Sequence, residues 1–265
     1  MHSMSLDGHF VAYHEHGAGE PVVLLHPGFV ADGMLPLLDR PALADFRLVA
    51  PHRRGYGCSG AAEPPVDMAD HARDLVALLD ALGIEKAHLV GHSFGGCVAL
   101  EVARACPERV GRLVLLEPPL GFALTEPTLG VLLSTAAEAM PRFAAGDHAG
   151  AVAVWLDEAF GPGWQEPLEQ AVPGAVAQAT KDARAAFGIE VPALQMWPFG
   201  PPDLHAIGAP MLSVAHEDAW AGSIEVHQAL VAAGARPAVL PIRSHLLQVL
   251  EPDVVAGAIA TFLSS

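Results

Sequence analysis

Residues 87–97 read Ala87-His88-Leu89-Val90-Gly91-His92-Ser93-Phe94-Gly95-Gly96-Cys97. The run Ala87–Val90 is short and mostly apolar, which predicts a strand. A helix is expected from about Phe94 to Cys106, closed by Pro107. Ser93 then stands on a tight strand-to-helix turn that pushes its hydroxyl out of the fold. Glycines on both sides remove the side chains that would collide around such a turn. The helix start aims backbone N–H groups at whatever binds there, which suits a developing oxyanion. A Gly-rich turn with serine as an N-cap has the same letters. The strand before and the helix after favour a nucleophile.

Working outward, other segments share this grammar. Phe10–Tyr13, Val22–Leu25, Arg47–Ala50 and Arg112–Leu116 read as strands, with a turn at Gly17-Ala18-Gly19. A helix is expected over 67–82, where Leu75, Val76, Leu78, Leu79 and Leu82 recur at helical spacing before Gly83. Strand and helix alternation with short buried strands predicts an α/β fold, a parallel sheet covered by helices. From 118 to about 204 the pattern turns helical and Pro-rich, with no convincing strand. Sheet grammar returns at Pro210–Val214, then a helix near 223–233, a strand at Ala238–Leu240 and a last helix near 252–263. The expected organisation is a core of 1–117 and 205–265 with a helical insertion of 118–204.

A serine needs a base. His245 lies after the last strand and before the last helix, on a loop that can reach back over the sheet. A surface histidine is the alternative, and the chain has 14 histidines. Together these residues resemble the α/β-hydrolase superfamily over nearly the whole length. The likeness rests on Leu25-His26-Pro27-Gly28, on Arg53-Arg54-Gly55-Tyr56-Gly57-Cys58-Ser59 (similar to an RGxGxS loop), on the turn at Ser93, on the 210–214 strand and on His245. The resemblance implies a mostly parallel sheet with an inserted helical cap. It also implies a second oxyanion donor in the loop after His26. Pro27 has no N–H, so Gly28 N–H is the first choice and Phe29 N–H the second, beside Phe94 N–H. His26 is read as structural, and His52 stands where the family usually has Asp.

Two carboxylates compete to complete the triad. The family commonly places its acid after the second-to-last strand, in a Gly-x-x-Asp pattern. Here that stretch is Ala215-His216-Glu217-Asp218-Ala219, so Asp218 is one residue out of register. Glu117 follows the strand ending at Leu116 and lies at the carboxyl edge of the sheet, where ligand chemistry gathers. Some family members, zearalenone-type lactonases among them, are similar in carrying the acid there. Glu117 is preferred and Asp218 is the alternative; either keeps the order Ser, acid, His.

These residues predict a serine hydrolase acting through an acyl-enzyme on a neutral, fairly apolar carboxylic ester or lactone. The alternatives are carbon–carbon bond hydrolysis and a non-hydrolytic role, including a small-molecule receptor. Trp155, Phe160, Trp164, Met196, Trp197 and Phe199 are candidate pocket residues in the insertion, with Trp197, Phe199 and Phe29 preferred. The insertion holds only three cations, Arg142, Lys181 and Arg184, which argues against anionic substrates.

Composition narrows the rest. The 265 residues are 52% hydrophobic, enough for a large core. Fourteen Lys and Arg against thirty Asp and Glu leave a formal charge of −16, so nucleic acid is not an expected partner. No apolar run is long enough to span a bilayer, and 1–7 lack the pattern of a secretory leader. Cys58, Cys97 and Cys106 are expected as free thiols in a cytoplasmic protein. No cofactor or metal is expected. His14-Glu15-His16 sets two imidazoles on one strand face without an evident third ligand.

Overall fold

The computed structural model describes residues 1–6 and 9–265. In chain order the first half contains β1 (His2–Leu6), β2 (His9–His16), β3 (Glu20–Leu25), β4 (Phe46–Pro51), α1 (Met68–Ala81), β5 (Ala87–His92), α2 (Phe94–Ala105) and β6 (Val110–Leu116). Asp67 and Asp70 close a reciprocal capping box at the start of α1, which satisfies two N–H groups that the helix itself cannot. The eight strands form one sheet in the order β1-β2-β4-β3-β5-β6, followed by β7 (Met211–His216) and β8 (Arg236–Leu240). The pairings of β2 with β1 and β4 are antiparallel, and every other pairing is parallel.

The central strands are continuous apolar runs because both faces of the sheet are covered. Val23, Leu25, Leu89, Leu113 and Leu115 join one core with α1, α2 and α10 (Ala221–Ala232). Their neighbours Val22, Leu24, Val90, Val114 and Leu116 face the opposite core, with α11 (Leu247–Leu250) and α12 (Pro252–Leu263). The split follows the two-residue period of a strand.

Between β6 and β7 the chain is helical: α3 (Glu126–Ala144), α4 (His148–Phe160), α5 (Gln165–Ala171), α6 (Ala175–Lys181), α7 (Ala183–Ala185), a π-helical turn (Ala186–Glu190), α8 (Val191–Met196) and α9 (Pro201–Ala206). From α3 through the π-helical turn these helices share a third core with Phe29, Val30, Tyr56, Leu246 and Val249, whereas Leu204 of α9 joins the core of α1 and α2. The insertion therefore rests on the loops that leave the carboxyl ends of β3, β4 and β8. Thr125 and Thr128 tie its start to α10, since both hydroxyls donate to Glu225 (2.8 and 2.6 Å).

Strand β1 was not expected from the sequence. Its His-Ser-Met-Ser-Leu run is mostly polar, and it pairs only with β2 at the sheet's edge. Among the described residues no helix is long and apolar enough to cross a membrane, and all three cysteines are free thiols.

Candidate active site

Strand register sets the site. Leu25 pairs with Gly91, Gly91 with Leu115, and Leu115 with Ser213, so four neighbouring strands reach their carboxyl ends at one level. The residues just beyond include Pro27, Ser93, Glu117 and His216. Three non-glycine residues of the described chain have a left-handed φ: Phe29 (67°), Ser93 (50°) and Glu117 (47°). Such backbone is costly for residues with a Cβ and persists only where the surroundings over-determine it. All three lie at this edge.

Ser93 occupies the expected turn and is partly exposed. The flanking glycines are required by close approach. A Cβ on Gly95 would lie 2.4 Å from Leu25 O, and one on Gly91 would lie 2.4 Å from Gly95 O. Ser93 N–H donates to Leu116 O (2.8 Å), which binds the turn to the strand that ends in Glu117.

Glu117 is buried and accepts three hydrogen bonds. Oε2 takes the Nδ1–H of His245 at 2.5 Å, and Oε1 takes the Nδ1–H (2.8 Å) and backbone N–H (3.1 Å) of His216. Burial alone would raise the carboxyl pKa. The His216 and His245 hydrogen bonds outweigh it and hold Glu117 well below the usual carboxylate range. With its proton on Nδ1, His245 leaves Nε2 unprotonated. Its ring lies against that of His92, the residue before Ser93, with centroids 4.6 Å apart. His92 is held in turn, since Gln248 Nε2 donates both to His92 Nδ1 (2.9 Å) and to Gly33 O (3.0 Å).

Asp218 is set apart from this group. Its side chain is 61% exposed and pairs loosely with Arg243 (3.4 Å). His216, which stands where a glycine was expected, is the second imidazole on Glu117. Sequence reading missed this role, although a histidine ending the strand beside the one that ends in Glu117 was a usable signal.

The loop after β3 is tethered by side chains. His26 Nδ1–H donates to Pro27 O (2.6 Å) and its Nε2 accepts from Arg53 N–H (3.1 Å), the structural role expected. Phe29 N–H donates to Tyr56 Oη (3.3 Å). Among the described residues, Gly28 N–H and Phe94 N–H donate to no group of the chain.

The aromatic candidates separate into two places. Trp155 and Phe187 contact Phe29 (ring centroids 6.1 and 5.0 Å), and Phe160 stacks on His245 (5.9 Å). Trp197 and Phe199 stack on each other (4.4 Å) but sit against α2, where the indole N–H donates to buried Glu101 (2.9 Å). Their place beside the insertion's return in sequence did not bring them to His245; Trp197 follows its hydrogen-bond partner instead. Trp164 is buried with its N–H on Asp157 (3.0 Å), and Met196 is 80% exposed.

His14 is joined by Asp32 and His52 rather than His16, with ligand-type atoms within 4.8 Å of one another. His52 Nδ1 accepts Cys58 N–H (3.2 Å), which places the ring proton on Nε2, where it donates to Asp32 (2.8 Å). In this arrangement the Nε2 lone pair is not free for a metal. The same bonds give His52 a structural task in holding the 55–59 loop.

Known proteins agree with this architecture. A family model described as alpha/beta hydrolase fold matches residues 21–184, more than half of the chain. A 2-hydroxymuconate semialdehyde hydrolase of Pseudomonas sp. (strain CF600) is 42% identical over 122 residues, 43% of this chain and 42% of that protein. The chain thus spans about two fifths of the length of that relative. A hydrolase from Pseudomonas aeruginosa PA01 superimposes with a TM-score of 0.75 at 27% identity, covering 100% of this chain and 98% of the other. The enol-lactonase from Burkholderia xenovorans LB400 shares the fold, with a TM-score of 0.76 at 21% identity over 99% and 100% of the two chains. By the match of more than half its length, the chain belongs to the alpha/beta hydrolase fold family.

Proposed function

We propose that the protein is a serine hydrolase that cleaves a neutral, fairly apolar carboxylic ester or lactone. The observation that carries this reading is the 2.5 Å hydrogen bond from His245 to buried Glu117, beside a serine on a strained turn. In this reading Ser93 Oγ attacks the carbonyl carbon while His245 Nε2 takes its proton. Glu117 fixes the tautomer of His245 and stabilises the imidazolium that forms. The N–H groups of Gly28 and Phe94 receive the oxyanion. His245 then protonates the leaving alkoxide, and water releases the acyl group by the reverse proton path. No step calls for a cofactor. The helical insertion acts as the cap, and Phe29, Trp155, Phe160 and Phe187 form the apolar side that favours neutral substrates.

A second reading keeps these residues and changes the bond cleaved to carbon–carbon. The likeness to a 2-hydroxymuconate semialdehyde hydrolase favours it. A panel of short-chain p-nitrophenyl esters, aliphatic lactones and a vinylogous 1,5-diketone separates the two. Ester or lactone turnover that falls by about 10⁶ in Ser93→Ala is expected. Turnover of the diketone alone would establish the second reading, and no turnover of any of them would overturn both.

A further inference from the structure

Glu190 takes no part in the chemistry above, yet both proposed oxyanion donors lie beside groups tied to it: Gly28 stands between the tethered Pro27 and Phe29, and the ring of Phe94 lies under the Arg53 guanidinium. It ends the π-helical turn of the insertion and is 3% exposed. Its Oε1 accepts from Arg53 Nε (2.7 Å) and Nη2 (2.6 Å), and its Oε2 accepts the Tyr56 hydroxyl (2.6 Å). Arg53 in turn donates to His26 O and to Pro27 O (3.1 Å), and Tyr56 Oη accepts Phe29 N–H. The guanidinium also lies over the ring of Phe94, 5.1 Å from its centroid. Among the described residues, each side-chain tether on the backbone of 26–29 from outside that loop comes from Arg53 or Tyr56, and both meet on Glu190.

We propose that Glu190 is a positioning residue, supplied by the insertion, that holds the oxyanion loop through Arg53 and Tyr56. The inference rests on the reading of Ser93 as the nucleophile. A buried guanidinium without its carboxylate is strongly disfavoured. Arg53 would then move toward water and release the carbonyls of His26 and Pro27. Phe29, in left-handed backbone, would lose its N–H anchor as Tyr56 lost its acceptor. Oxyanion stabilisation depends on donors already in place when charge develops, so a loosened loop lowers kcat more than it alters substrate binding.

A rival role has the opposite sign. A Cβ on Gly28 would lie 3.3 Å from Glu190 Oε2, so the carboxylate stands beside the proposed donor. Were Glu190 only a negative charge opposing the oxyanion, its neutralisation would speed the reaction.

The test is the second-order rate of labelling by a fluorophosphonate, with kcat and KM for the best ester, in wild type, Glu190→Gln, Tyr56→Phe, the double variant and Ser93→Ala. A misplaced oxyanion donor costs on the order of 10–100-fold. Labelling and kcat are expected to fall by about that factor in Glu190→Gln, with KM within about threefold. Tyr56→Phe should fall less, and the double variant should be close to Glu190→Gln, because the two act along one path. Folding is checked by circular dichroism. A folded Glu190→Gln that reacts as fast as wild type, or faster, overturns the proposal; should that variant not fold, a Tyr56→Phe with wild-type rates does so. A wild type that is not labelled, or a Ser93→Ala that still is, overturns the reading of Ser93 itself.

Discussion

Glu117 and Glu190 are both buried carboxylates serving one cluster of loops, but the core and the insertion hold them differently. Glu117 leaves the end of β6 and is gripped by two imidazoles and a backbone N–H. Its hydrogen bonds outweigh burial, and it stays ionised below the ordinary carboxylate range. Glu190 sits in a helical turn that crosses to the core, paired with Arg53 and Tyr56. There burial prevails over the pairing and pushes its pKa up. A carboxylate fixed by strand ends is suited to orienting a base. One shared between two bodies is suited to reporting whether they are seated together.

Beyond the carboxylates themselves, the largest effect on stability in this comparison is expected at His216. His216→Phe keeps a ring but removes one hydrogen bond to an ionised Glu117. Such a bond is worth on the order of 1.5–3 kcal/mol, so urea unfolding should show a loss of that size. With Glu117 less firmly held, kcat should fall by about tenfold. A variant with unchanged kcat would break the contrast, since Glu117 would then need only His245.

A smaller effect separates the two carboxylates by pH. The folded-state pKa of Glu117 is depressed, so its contribution to stability is full above the unfolded value of about 4.3 and is lost as pH falls through the folded one. That of Glu190 is raised, so the folded chain binds its proton more tightly. Its contribution is present below about 4.3 and is lost as pH rises toward the folded pKa. Urea unfolding across pH should therefore show a flatter acid limb in Glu117→Gln. Glu190→Gln should show a flatter decline on the side above. Identical pH slopes in both variants would contradict the assignment.

The same contrast explains what could be read in advance. The turn that carries Ser93 was legible because it is local: one strand, one turn and one helix within eleven residues. Glu117 was legible because a carboxylate closing an apolar strand of a parallel sheet must lie at the carboxyl edge. His216 required the pairing of β6 with β7, which no single segment announces. Glu190 meets Arg53 and Tyr56 across 137 and 134 residues. It comes from an Ala-rich helical stretch whose periodicity is silent about partners. The aromatic choice shows the same limit. Trp197 was favoured by its place in sequence, whereas Glu101 decides where its indole goes.

The central claim is that Glu117, and not Asp218, makes His245 a base for Ser93. It is tested most directly by comparing kcat of Glu117→Gln and Asp218→Asn on the same ester. Loss of the acid partner costs about 10⁴ in turnover by analogy with serine proteases. Glu117→Gln should fall by about that factor, and Asp218→Asn, altering an exposed carboxylate, should stay within about twofold. A crippled Asp218→Asn beside a near-normal Glu117→Gln would contradict the account.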